Sequence, residues 1–181
     1  MRFTAPLLVA LAALTTPVAA QVPAEDQSLS GLAVDLAYGF CPQFMNGETA
    51  LASNAALMAR GFEATPKVGG NARFPDFALL GQSREDGDIT VGGIPNTICQ
   101  VTVIGPQAAA ALSEMRGSLG DLGIEFEADP ANSGAGPRGN GTVETLKLVT
   151  PGSEVIRVQF LQAVVGTDTP LASFQIMAQE R

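Results

Sequence analysis

The chain has 181 residues, with 10 basic and 18 acidic side chains, a net charge of −8, no histidine, no tryptophan and one tyrosine, Tyr38. Without histidine, a Ser-His-Asp triad, a Cys-His pair and the usual histidine-bearing zinc sites are excluded. The acidic balance repels nucleic acid phosphates and anionic lipid headgroups, and the lysines, Lys67 and Lys147, lie in no recognisable nucleophile motif.

At the N-terminus, Arg2 is followed by an apolar run from Leu7 to Leu14 and by the small residues Val18, Ala19 and Ala20. This order of charge, short apolar core and small residues predicts a signal peptide over residues 1–20. Pro6 and Pro17 bracket a stretch shorter than the roughly 20 apolar residues that span a bilayer. Cleavage after Ala20 leaves residues 21–181, a length that suits a single domain with its own core, and loss of Arg2 takes the net charge to −9. The expected setting is periplasmic or secreted. No later segment reaches membrane-spanning length, so the mature chain is not expected to be membrane-embedded.

Leu29, Leu32, Ala33, Leu36, Ala37 and Phe40 share one helical face, with Asp26 or Ser28 able to cap its start. The helix is expected to end where Pro42 follows Cys41. A second helix is predicted from Gly47 to Arg60, with Asn46 as cap, Leu51, Ala55 and Met58 along one side, and Gly61 as its stop. Pro66, Gly69 and Gly70 mark a loop over 65–71. Phe74, Phe77, Leu79 and Leu80 suggest a strand that Pro75 delays or sets at an edge. Ser83 to Asp88 is a charged turn leading into Ile89–Val91; it lacks the ligand spacing of an EF-hand and reads as a hairpin turn.

Thr97 to Ile104, rich in β-branched residues, predicts a strand that carries Cys99. Pro106 then opens a helix placing Ala109, Leu112, Met115 or Arg116, Leu119 and Leu122 toward a core, with Gly123 as its end. Ile124 to Ala128 alternates as a short strand. Residues 129–141 hold Pro130, Gly134, Gly136, Pro137 and Gly139 without apolar periodicity, and predict a flexible surface loop. From Val143 onward, Val143–Thr150, Val155–Val165 and Leu171–Gln179 read as a three-stranded antiparallel meander, with turns at Pro151-Gly152 and Gly166–Pro170. No internal repeat is visible. The sum is a single α+β domain with an antiparallel sheet and helices on one face.

Cys41 and Cys99 are the only cysteines, 58 positions apart. In an exported chain such a pair is expected to form a disulfide, and the absence of a C-x-x-C spacing makes it structural rather than redox-active.

At Cys41-Pro42, Ala59-Arg60-Gly61-Phe62, the strand around Cys99 and the run from Gly105-Pro106 to Leu122, the chain resembles small exported proteins of alphaproteobacteria. That resemblance implies a periplasmic setting and carries over no catalytic position. The missing histidine, the bridge and the glycine-rich loop point to a non-catalytic binding or interaction module. Its expected partner is a protein, the charge suiting a basic one, with no nucleic acid, cofactor or metal. The competing expectation is a carboxylate-dependent hydrolase of the cell envelope, for which eighteen acids are available. The expected contact positions are the loop from Ser133 to Asn140 and the turn from Glu85 to Asp88.

Overall fold

A single face of apolar residues decides where the first helix lies. In the computed structural model, which describes residues 27–69, 74–136, 139–149 and 154–180, α1 runs Leu29–Asp35 and buries Leu29, Leu32 and Ala33. Ser28 is its cap, the hydroxyl oxygen accepting the Gly31 N–H at 3.1 Å. Asp26, the other cap considered, lies outside the described residues, as do residues 1–20 and the Pro151-Gly152 turn.

The helix does not stop at Pro42. A wide turn over Leu36–Phe40 lets the Cys41 N–H reach the Leu36 carbonyl, and α2 continues through Cys41–Met45. The widened turn makes Pro42 the start of a fresh helical turn, where a missing N–H costs little.

The second predicted helix shrinks to α3, Ala55–Met58. Asn54, not Asn46, caps it, its side-chain oxygen accepting the N–H groups of Ala56 and Leu57 at 3.1 Å each. Gly47 at φ +71° and Ser53 at φ +54° hold left-handed backbone that a continuous helix cannot contain. Leu57 is buried in place of Ala55 and Met58, both exposed, while Leu51 is buried as expected. Gly61, at φ +90°, ends the helix as predicted.

The strands are β1 (Lys67–Val68), β2 (Ala78–Arg84), β3 (Gly87–Ile94), β4 (Ile98–Ile104), β5 (Glu127–Ala128), β6 (Gly134–Ala135), β7 (Gly141–Val149), β8 (Glu154–Val165) and β9 (Thr169–Glu180). The last helix, α4, spans Ala108–Asp121. Its buried face is Ala108, Ala111, Leu112, Met115 and Leu119, so the predicted stripe is off by one position at its start. Ala109, Arg116 and Leu122 are exposed.

All pairings are antiparallel, in the order β1-β2-β3-β4-β9-β8-β7-β5, with β6 also on β7. The fold is therefore α+β, with the predicted C-terminal meander as β7-β8-β9. The segment expected as an aperiodic loop contains β6 and a short helical turn over Pro130–Asn132.

A core helix ahead of a three-stranded meander occurs twice: α1 with β2-β3-β4, separated by α2, α3 and β1, and α4 with β7-β8-β9, separated by β5, the Pro130–Asn132 turn and β6. The third strands of the two units, β4 and β9, pair side by side in the middle of the sheet, and α1 packs on α4. This duplication of layout has no counterpart in visible sequence repetition.

The core lies between the helices and one face of the sheet. Leu80, Val91, Val101, Phe174 and Phe160 stand opposite one another across five strands, and all are buried. Phe174 meets the rings of Tyr38 and Phe160 edge-on at 5.3 and 5.8 Å. Each such buried side chain stabilises the fold by roughly 1.5–3 kcal/mol. The Tyr38 hydroxyl donates to the Met115 carbonyl, and burial raises the phenol pKa well above its ordinary value. Cys41 and Cys99 form the expected disulfide, both fully buried, tying α2 to β4.

Candidate interaction face

The sheet has a second face, and alternation along the strands dictates its residues. Its β7 end lies beneath the segment that carries the Pro130–Asn132 turn, where Thr145 is buried and its hydroxyl donates to the Asn132 carbonyl. One row across six strands reads Leu79, Gly92, Gln100, Gln175, Gln159 and Thr145. The adjacent row reads Gly81, Thr90, Thr102, Ser173, Leu161 and Val143. Neither row contains a charged side chain.

Flanking these rows are Ile94, Ile98 and Met177 on one side and Ile104, Leu171 and Ala163 on the other. Charges enter only at the rim, with Asp88 beside Ile104 and with Arg157 and Lys147 beyond Met177. Within the two rows Gly92, Thr102, Ser173 and Thr145 are buried and the glutamines and aliphatic residues around them are half-buried, whereas solvent-facing sheet surfaces ordinarily carry charged side chains. A surface depleted of charge, with aliphatic and amide groups between, has the composition of an interface core.

The polar groups of this face are organised by one another. Gln175 Nε2 donates to Gln100 Oε1 at 3.2 Å, and Gln100 Nε2 donates to Thr102 Oγ1 at 2.7 Å. Thr102 and Ser173 share a hydrogen bond at 3.0 Å, and the Ser173 hydroxyl donates to the Val101 carbonyl at 3.2 Å. On the β8 side, Gln159 Nε2 donates to Thr145 Oγ1 at 3.0 Å. Side chains held this way lose little further freedom when a partner arrives.

Sequence reasoning placed its contact positions elsewhere. Of the turn residues, Asp86 is paired with Arg84 at 3.1 Å, and Glu85 and Asp86 line a groove of about 620 Å³ with Arg60, Gly61 and Gln82. Asp88 lies apart from them, on the rim of the open face. Arg84 Nη2 donates to the Gln27 carbonyl at 2.8 Å, and Gln27 Nε2 donates to Asp35 at 2.6 Å. Arg60 Nη2 lies 3.7 Å from Asp35, so both arginines of the groove are engaged by backbone or carboxylate neighbours.

The other expected position, Ser133 to Asn140, is described except at residues 137 and 138. Its first part is anchored to β7. The Ser133 hydroxyl oxygen accepts the Thr145 N–H at 2.9 Å, and the Thr145 hydroxyl donates to the Asn132 carbonyl at 2.6 Å. Asp129 is buried beneath this turn and receives Arg157 Nε at 2.9 Å and Asn132 Nδ2 at 2.8 Å. The Arg157 hydrogen bond, followed by that of Asn132, holds the Asp129 carboxyl below the usual carboxylate range.

Among the described residues, no group of three or more acids and cysteines is placed to hold a metal ion, and no helix is long and apolar enough to cross a membrane. No family model, no curated protein and no solved structure matches this chain.

Proposed function

We propose that this protein is a non-catalytic, periplasmic or secreted binding module, exported by cleavage near Ala20, and that it docks a protein partner on the open face of its sheet. The observation that carries this reading is the pair of uncharged rows through Gln100–Gln175–Gln159 and Thr102–Ser173 on a chain of net charge −8. The Cys41–Cys99 disulfide supports an oxidising compartment. The acidic remainder of the molecule acts at long range and discriminates among partners by the sign of their charge, while the contact itself is uncharged.

The carboxylate-dependent alternative gains nothing from the buried acid. A general acid needs a raised pKa, and Asp129 is drawn the other way by Arg157. The test is affinity capture from a periplasmic extract with the wild-type mature chain and with Gln175→Lys. A partner held by the first and lost by the second is the expected result. Equal capture by both would remove the face from the interaction, and N-terminal sequencing of the exported protein is expected to read from Gln21.

A further inference from the structure

We propose that the occupant of the open face is a second copy of this chain, the two sheets stacking face to face; this rests on the reading of that face as a docking surface. Size is the first argument. Five strands (β2, β3, β4, β9 and β8) at roughly 4.8 Å spacing and about seven residues at roughly 3.4 Å give a projected face on the order of 570 Å², made of the two uncharged rows and one flanking row on each side. A standard interface covers about 800 Å² per partner and a weak, transient one about 600 Å² or less, so the face suits a dimer that forms and dissociates with protein concentration.

Charge is the second argument. Two copies of a chain with net charge −8 repel wherever acidic surfaces meet. The two uncharged rows are a surface on which one copy approaches another without burying like charges.

Chemistry is the third argument. Each glutamine amide both donates and accepts, so a face whose reachable polar groups are Gln100, Gln175 and Gln159, set around the buried Thr102–Ser173 pair, is complementary to itself. A face of carboxylates or of guanidinium groups is not. A two-fold interface requires that self-complementarity, because the same patch serves both partners.

The edges supply a fourth argument. Along β7, the outer edge is covered by β5, by β6 and by the Ser133 side chain, while β2 is covered by β1 and by the Glu63 N–H on the Gly81 carbonyl. The sheet thus ends in the two-residue strands β1, β5 and β6, edges too short to template a long added strand, which leaves the face as the broader surface for association.

The experiment is sedimentation velocity of the mature chain across a wide range of protein concentration, at low and at high salt. A dimer that grows with concentration, and grows further when salt screens the repulsion between acidic copies, is expected. Gln175→Lys brings like charges together across the two-fold interface and should weaken dimerisation at least roughly tenfold, about 1.4 kcal/mol. Thr90→Lys should act in the same direction, and Ala110→Lys, on the exposed side of α4, should not. Thermal melts of each variant separate loss of pairing from loss of fold.

A wild-type chain that stays monomeric throughout, or a dimer indifferent to both face variants, overturns the proposal. A monomer whose capture of another protein is still lost in Gln175→Lys overturns the second copy and leaves the docking face standing. A monomer whose capture is untouched by Gln175→Lys overturns both. Self-association that weakens as salt rises also overturns the proposal, because it would have to rest on charge pairs that the two uncharged rows do not contain.

Discussion

Asp129 is a buried acid held by Arg157 and Asn132, and its ionisation is written into the stability of the fold. Its folded pKa is depressed, so its contribution is present above the unfolded carboxylate value of about 3.9 and is lost as pH falls through the folded value. Asp129→Asn is expected to melt lower than wild type at neutral pH, with the gap closing as pH drops below about 4. Melting curves of both proteins from neutral to acid pH check this, and a gap that persists unchanged into strong acid would count against the ion pair. At Gly93 the constraint is backbone geometry. The residue sits at φ +146°, and a Cβ there would fall 2.0 Å from the Ile98 carbonyl oxygen. Gly93→Ala should therefore cost on the order of 1–3 kcal/mol or more in urea unfolding. The first role cannot be read locally, because Arg157 is 28 residues from Asp129; the clash at Gly93 comes from Ile98, just across the β3–β4 hairpin.

At the scale of elements, strand periodicity was the reliable signal and helix boundaries were not. Alternation in Val155–Val165 and Leu171–Gln179 gave β8 and β9 nearly to the residue. The helix predicted from Gly47 failed because Ser53 takes a left-handed conformation and Asn54 caps a later start, which the apolar spacing of Leu51, Ala55 and Met58 does not reveal. The open face was half legible. Gln100 and Thr102 alternate with buried valines in β4, and Ser173 and Gln175 flank Phe174 in β9, but these strands are 71 residues apart at Thr102 and Ser173. Their pairing is what makes a surface of them. The signal that could have found it was the choice of Gln, Thr and Ser, rather than Lys and Glu, at the outward positions. Edge protection gives a further prediction. Ser133→Ala removes the acceptor of the Thr145 N–H and should cost about 1–2 kcal/mol, measured by chemical unfolding. An unchanged midpoint would mean that Ser133 contributes nothing to holding the segment on β7.

For the whole molecule, the α+β class and the C-terminal meander followed from the sequence, while the short strands β1 and β6, the extra helical turns and the two-unit arrangement did not. The disulfide was legible from composition and presumed compartment. It closes a loop of 58 residues, and loop entropy assigns it roughly 4 kcal/mol. Cys41→Ser or Cys99→Ser is expected to lower the melting temperature and to shift the urea midpoint by a corresponding amount. An unshifted midpoint with two titratable thiols in the wild-type protein would refute the bridge.

Both cysteines belong to the first helix-and-meander unit, ahead of α4. With two thiols only one intramolecular pairing exists, so oxidation needs an electron acceptor but no reshuffling of wrong bonds. For a chain that enters an oxidising compartment N-terminus first, everything required for the bridge has emerged once β4 has passed. The first unit can be locked while α4 and the last three strands are still in transit, and the late-arriving β9 then finds β4 already fixed as its template.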